Sequence, residues 1–395
     1  MAEQNGKVLF ITPGASSAGG NKFLLNFLKW FRQNSEIPFS LLYGYGGDIE
    51  KDFREIAKDI YKFYPENDFG GFARKAVAGI AKHFKINENA IKAKIRRDNI
   101  KLIYSNSVIN RELLSLVSGL SVPVVSHCHE LETVIQMCGI DEFKKVKART
   151  SHFVAVSDSV RRNLIENHDL PDKMIEVIDE FVPVEDLSEE QIRSNSVFVR
   201  RKFGIPENAF LVGGSGTLNW RKAPEIFIQT AYALSKKLPD APIYFLWIGG
   251  AEAGDFSLFE AKFDVNKLGL ERRVFFLEHQ KDPMVYYSAL DVFTLVSREE
   301  PFGLVCLEAA SAGKPVICFE NSGGSEEFVE NGCGFTVPYL DTDRLAEKII
   351  ELYQDRELVS LTGARAAAKV REKYDISHLA PRMVDIIGRF MNRKA

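Results

Sequence analysis

At 395 residues, with 45% hydrophobic and 27% charged side chains, the chain has globular composition and enough length for two domains with a core each. A formal charge of -3 excludes a general basic surface for nucleic acid, so any attraction to phosphate must be local. Cys128, Cys138, Cys306, Cys318 and Cys333 show no CxxC spacing, and the start MAEQNGKVLFITPG has neither a basic lead nor a long apolar core; a reduced, cytoplasmic protein without a secretion signal or membrane-spanning helix is expected.

The first strand is predicted over Lys7 to Thr12, and TPGASSAGGNKFL after it reads as a small-residue loop opening a helix over Lys22 to Arg32. Gly19 and Gly20 there suit close approach of a bulky anionic ligand or an acceptor. Further apolar runs at Phe39 to Tyr43, Ile100 to Tyr104, Val122 to Ser126 and Phe153 to Val156 alternate with helical patterns such as Ser159 to Glu166, which predicts βαβ units and a mainly parallel sheet.

Gly70 to Lys101 carries nine Lys or Arg residues interleaved with apolar ones. Such a segment suits peripheral contact with an anionic membrane surface, or equally a solvated helical face packed on its own domain; without a reader motif, nucleic acid is not expected as a partner. VPVVSHCHE ends a strand with His127 and His129. With one residue between them, the two are read as lying on opposite faces of a strand, so a shared metal is not expected.

Residues 183–208 are polar and charged, and a boundary there predicts domains over 1–184 and 185–375. Strands restart at Phe210 to Gly214, Ile243 to Ile248, Val274 to Leu277, Val292 to Val296, Pro315 to Phe319 and Gly334 to Val337, a second sheet of the same kind. Ligands of such sheets bind outside the carboxyl ends of their strands, so an active-site cleft lined by strand ends is expected. FLVGGSGTLNWRK is a strand opening into a glycine turn, in which Gly216 permits an anion to approach and Arg221 and Lys222 would neutralise a leaving diphosphate. It lacks the third glycine of a dinucleotide fingerprint, and neither glycine loop contains GK[ST].

SREEPFGLVCLEAASAG, from Ser297 to Gly313, reads as a loop entering a helix, with Pro301 near the first turn and Gly313 as the stop. The amides of Phe302, Gly303 and Leu304 and the helix dipole would favour a diphosphate or sugar hydroxyls. Glu300 and Glu308, about two turns apart, suit different parts of one extended ligand; as a plain alternative, one is a capping acid and the other faces solvent. Asp341, Thr342 and Asp343 form a DxD string that reads as a helix N-cap in preference to a metal site. Residues 376–395 include a partly amphipathic stretch, Ile376 to Arg393.

EPFGLVCLEA, with its E-x7-E spacing from Glu300 to Glu308, closely resembles the signature of family 4 retaining glycosyltransferases of the GT-B fold. The likeness extends to Ser297, to GKPVICFENSGGSEEFVENGCGF and to Gly323, Gly324 and Glu327 in a GGxxE pattern. The resemblance implies two Rossmann-like α/β domains with mainly parallel sheets facing a central cleft, the first for the acceptor, the second for a nucleotide-sugar donor, with 376–395 a helix crossing back onto the first. It implies that Glu300 contacts the donor sugar and Glu308 the ribose. The turn at Gly216 resembles GRL-x3-K: Lys222 matches the lysine on the donor phosphates, while Thr217 stands where the family has an arginine and Arg221 is the candidate to replace that charge. The loop at Gly19 and Gly20 is similar to the one that closes on the donor, and His129 followed by Glu130 to the His-acid pair near the reacting sugar. The expected protein is a retaining glycosyltransferase without metal or further cofactor, using a UDP- or GDP-sugar and a saccharide or lipid-linked acceptor. The alternatives are a non-catalytic nucleotide-sugar-binding protein and a sugar nucleotide epimerase of the same fold.

Overall fold

The computed structural model describes residues 6–63, 78–251 and 255–392. The chain divides into two compact units, Met1–Phe181 together with Ile376–Ala395, and Val182–Asp375.

The first unit is built on seven strands, β1 (Lys7–Gly14), β2 (Phe39–Tyr45), β3 (Asp59–Lys62), β4 (Ile100–Ser105), β5 (Val124–Cys128), β6 (His152–Ala155) and β7 (Ile175–Val177). They lie in the order β3-β2-β1-β4-β5-β6-β7, every neighbouring pair parallel. Parallel strands are covered on both faces, which is why Val8 to Ile11 and Leu102 to Tyr104 are continuous buried runs without alternation. The helix Gly19–Asn34 lays Phe23, Leu24, Phe27, Leu28 and Phe31 toward the core at helical spacing, and Phe10 of β1 meets Phe27 and Phe31 edge-on at 6.0 and 5.8 Å between ring centres. The chain's last helix, Ile376–Met391, packs in this unit against the Gly19–Asn34 helix and β4, burying Leu379, Met383, Ile386, Ile387 and Phe390.

The second unit carries β8 (Phe210–Ser215), β9 (Ile243–Ile248), β10 (Val274–Leu277), β11 (Val292–Leu295), β12 (Val316–Phe319) and β13 (Gly334–Val337), also all parallel, in the order β10-β9-β8-β11-β12-β13. Phe227, Ala231 and Leu234 of the helix Pro224–Lys237, and Ile349 and Leu352 of Thr342–Gln354, close its core against Phe210, Val212, Phe245 and Trp247. Asp341 caps the latter helix by accepting the Arg344 N–H at 2.9 Å, the capping role expected of the DxD string. The polar stretch 183–208 is more ordered than a linker: Ser188 and Gln191 form a capping box at the start of Glu189–Phe203, and buried Arg200 reaches Ala289 O at 3.1 Å and Ala209 O at 3.2 Å.

Among the described residues no helix is long and apolar enough to cross a membrane. Within the basic segment 70–101, residues 70–77 and the side chains of 78–87 lie outside the described residues. In the described part Ile91 and Ile95 are buried in the protein, so those two are not presented to a membrane.

Candidate functional site

Each sheet has one point where the connections turn in opposite directions, between β1 and β4 in the first unit and between β8 and β11 in the second. In open parallel sheets the crevice at this point is where ligands bind. The residues singled out from the sequence gather at the strand ends beside it, in two clusters.

In the second unit β8 runs into Gly216, whose φ of +144° places it where only glycine sits without strain, and a Cβ there would meet the Lys222 stem at 2.9 Å. Trp247 Nε1 donates to Gly216 O at 2.9 Å and holds the turn. The chain then brings Arg221 and Lys222 back to Glu300, which follows β11. The Lys222 ammonium bonds Glu300 Oε2, Arg221 Nη1 lies 3.2 Å from Oε1, and Ser297 Oγ donates to Oε2 at 2.9 Å. Burial, at 4% exposure, pushes the Glu300 carboxyl up, but the Lys222 and Arg221 charges and the bonds from Lys222 and Ser297 outweigh it and hold it at about 2. Two cations on one carboxylate leave the trio with net positive charge, suited to a phosphate. Thr217, beside Gly216, is partly exposed and supplies no charge.

The helix after Glu300 begins later than the sequence suggests. It spans Leu304–Ser311, with Gly303 at φ +100° as its N-cap and no side chain capping the first turn. Pro301 and Phe302 lie before it, and Phe302 is buried with its ring 5.3 Å from that of Tyr374, so its side chain is core and only its backbone is a candidate for ligand contact. The main chain at Glu300 is tied on both sides, its N–H to Ser322 O at 2.7 Å and its carbonyl to Gly324 N–H at 3.0 Å. That tie holds the GGxxE loop against Glu300, and within the loop Gly323, at φ +131°, takes a backbone conformation that favours glycine. Glu308 lies on the helix and interacts with the buried hydroxyl of Tyr287, which also pairs with Ser215 Oγ at 2.9 Å; burial and then the Glu308 charge push that phenol well up. Ser215 and Tyr287 were not legible as site residues.

In the first unit the loop after β1 is only Ala15 to Ala18, because β1 runs on to Gly14 and the helix starts at Gly19. Gly19 and Gly20 are therefore first-turn residues rather than loop. Thr12 Oγ1 donates to Asn21 Oδ1 at 2.7 Å, and Gly20 O accepts from Asn106 Nδ2 at 2.7 Å. Asn106 Oδ1 is 3.1 Å from His129 Nε2, and His129 Nδ1 is 3.1 Å from Glu180 Oε1. Whichever ring nitrogen carries the proton, it meets an acceptor.

Two expectations are corrected here. His127 and His129 do not point to opposite faces: they are two positions apart, a spacing that strand alternation places on one face, and their ring centres are 4.3 Å apart. His127 is fully buried on Tyr104 OH at 3.0 Å, and burial, then the neighbouring His129, push it well below the usual imidazole range. Glu130 does not serve the His129 ring. Its carboxylate accepts from Ser107 Oγ, from Val108 N–H at 3.3 Å and from the His129 main chain at 2.9 Å, so it staples the loop, and the acid on the ring is Glu180. Among the described residues no group of three or more metal-ligating side chains converges.

Residues 196–369 match the family Glycosyl transferases group 1. The D-inositol 3-phosphate glycosyltransferase of Corynebacterium urealyticum is 30% identical over 190 residues, 47% of this chain and 45% of that protein. The O-antigen biosynthesis glycosyltransferase WclY of Escherichia coli is 30% identical over 190 residues, 45% of this chain and 49% of its own. The chain thus spans about half the length of the curated relatives it matches. Among solved structures, Anabaena Alr3699/HepE in complex with UDP and glucose superposes with a TM-score of 0.80 at 22% identity, over 97% of this chain and 99% of that one. The likeness to the group 1 glycosyl transferases thus lies in residues 196–369 of the second unit, and the two parallel-sheet units have the GT-B fold.

Proposed function

We propose that the protein is a retaining glycosyltransferase that takes its sugar from a nucleoside diphosphate sugar. The observation that carries this is the convergence of Lys222, Arg221 and Glu300 beside the uncapped start of the Leu304–Ser311 helix, at the switch point of the second sheet. The diphosphate sits on the Gly216 turn and the amides at Phe302, Gly303 and Leu304, where helix dipole and cations favour negative charge. Lys222 and Arg221 stabilise the phosphate as it leaves, the larger part of the catalytic effect, and Arg221 supplies the charge that Thr217 lacks. Glu300, ionised and held by its neighbours, orients the sugar hydroxyls; Glu308 accepts from the ribose. Uracil is the base we favour, in keeping with the UDP bound by HepE, and guanine is the second choice.

In the reaction the bond from the anomeric carbon to the diphosphate oxygen breaks and one to the acceptor oxygen forms on the same face. The acceptor proton passes to the departing phosphate, so the protein supplies no nucleophile and no cofactor beyond the donor. The first unit holds the acceptor, a saccharide or a lipid-linked saccharide, and its Asn106, His129 and Glu180 keep the acceptor hydroxyl oriented. The setting is the cytoplasm, with the acceptor drawn from solution or from a membrane surface.

Incubating the protein with UDP- and GDP-hexoses and following nucleoside diphosphate release, with proton NMR of the product anomer, tests this reading. Release from one donor with retained configuration, reduced by roughly two to three orders of magnitude in Lys222→Ala, is the expected result. No release from any donor with any saccharide acceptor, while the donor binds tightly, would favour a binding protein of the same fold.

A further inference from the structure

Next to the His129 cluster, within the first unit, the carboxyl ends of β1 and β2 and the segment after β4 enclose a cavity of about 340 Å3, a size that takes a small ligand. Pro13, Tyr45, Val108, Ile109, Ile135 and Cys138 form its apolar wall. Of these, Tyr45 is 42% exposed and Ile109 39%. Apolar side chains left in water around one hollow mark a place where a ligand covers them.

The charged rim restricts what enters. Arg111 lies between two carboxylates, 2.5 Å from Glu142 Oε2 and 3.4 Å from Glu112 Oε1, and Glu142 also bonds Lys145 at 3.0 Å, so the rim charges are balanced by one another and no cation is spare for an anion. Val108 links the hollow to the reacting region, since its N–H and that of His129 share one oxygen of Glu130, at 3.3 and 2.9 Å.

Resting on the glycosyltransferase reading, we infer that this hollow is the subsite for an uncharged apolar aglycone of the acceptor, an alkyl or aryl group attached to the sugar that is glycosylated. An anionic lipid phosphate would find no spare cation there.

Cys138 gives a test that needs no turnover. It is exposed and lines the hollow, whereas Cys128, Cys306, Cys318 and Cys333 are buried. Alkylation of the native chain by N-ethylmaleimide at mildly alkaline pH is followed by intact mass, without donor, in the presence of methyl, octyl or phenyl β-glucoside or octyl phosphate, each below any micelle concentration. Octyl or phenyl glucoside should slow Cys138 modification at concentrations at least about tenfold below those methyl glucoside needs, the effect of two buried methylenes. Octyl phosphate should give no protection, and the octyl and phenyl arms tell an alkyl from an aryl preference. Ile109→Asp should abolish the protection with the thermal melt unchanged. Protection by methyl and octyl glucosides alike, by octyl phosphate, or intact protection in Ile109→Asp would overturn the inference. Protection without transfer to any glucoside would sustain the subsite and count against the transferase reading, whereas transfer to methyl glucoside without octyl protection would do the reverse.

Discussion

Glu300 is a buried carboxylate whose ionisation depends on Lys222 and Arg221. Its carboxyl is depressed to about 2, so the stability it contributes is fully present above the unfolded value near 4.3 and is lost as pH falls through about 2. In urea denaturation, the stability difference between wild type and Glu300→Gln should shrink by roughly 3 kcal/mol between about pH 5 and pH 2. A difference that stays flat over that window would mean the carboxylate is not held by the two cations. Glu180 is a second residue with a separable role. Because its carboxylate bonds the Nδ1 side of the His129 ring, Glu180→Gln should lower kcat on the order of tenfold to a hundredfold while the donor KM stays within about twofold. Steady-state kinetics decide this, and a donor KM that rises in step with the fall in kcat would assign Glu180 to binding. At this scale the cations and the acids were readable because they stand in short motifs, but their pairing was not: Lys222 and Glu300 are 78 residues apart. Asn106 was within reach, since it directly follows β4 and strand ends carry ligands in such sheets.

The elements explain why other residues escaped. β7 is three residues long with Glu176 at its centre, too short and too polar to register as a strand, and Glu180 follows it. Without the strand, the acid had no reason to be placed near His129. The start of the Leu304–Ser311 helix was set too early because Pro301 suits a first turn, whereas Gly303 at φ +100° shows where the backbone actually turns. The turn after β8 makes a stricter demand. Gly216→Ala would impose a strained φ and a Cβ contact of 2.9 Å with the Lys222 stem. We expect a loss of about 1–3 kcal/mol in stability together with weaker nucleotide affinity, measured by denaturation and calorimetry. Unchanged nucleotide affinity in that variant would remove the turn from the donor site.

At the scale of the molecule, two sheets of the same handed construction each reverse their strand order once, and the functional candidates of each unit collect at that reversal. The repetition of apolar runs made both sheets legible in advance, since parallel strands are buried on both faces and leave an uninterrupted hydrophobic signature. Strand order was not legible, because it depends on which crossover covers which face. The account stands or falls on whether the reversal in the second sheet holds a nucleotide sugar. The most direct measurement is isothermal titration of UDP-, GDP-, ADP- and CMP-sugars into the wild type and Glu308→Ala. Binding of one nucleotide class to the wild type, weakened about tenfold or more without the Glu308 carboxylate, is the predicted result, the loss of a charge-assisted hydrogen bond. Absence of binding to every donor, or equal affinity in the two proteins, would contradict it.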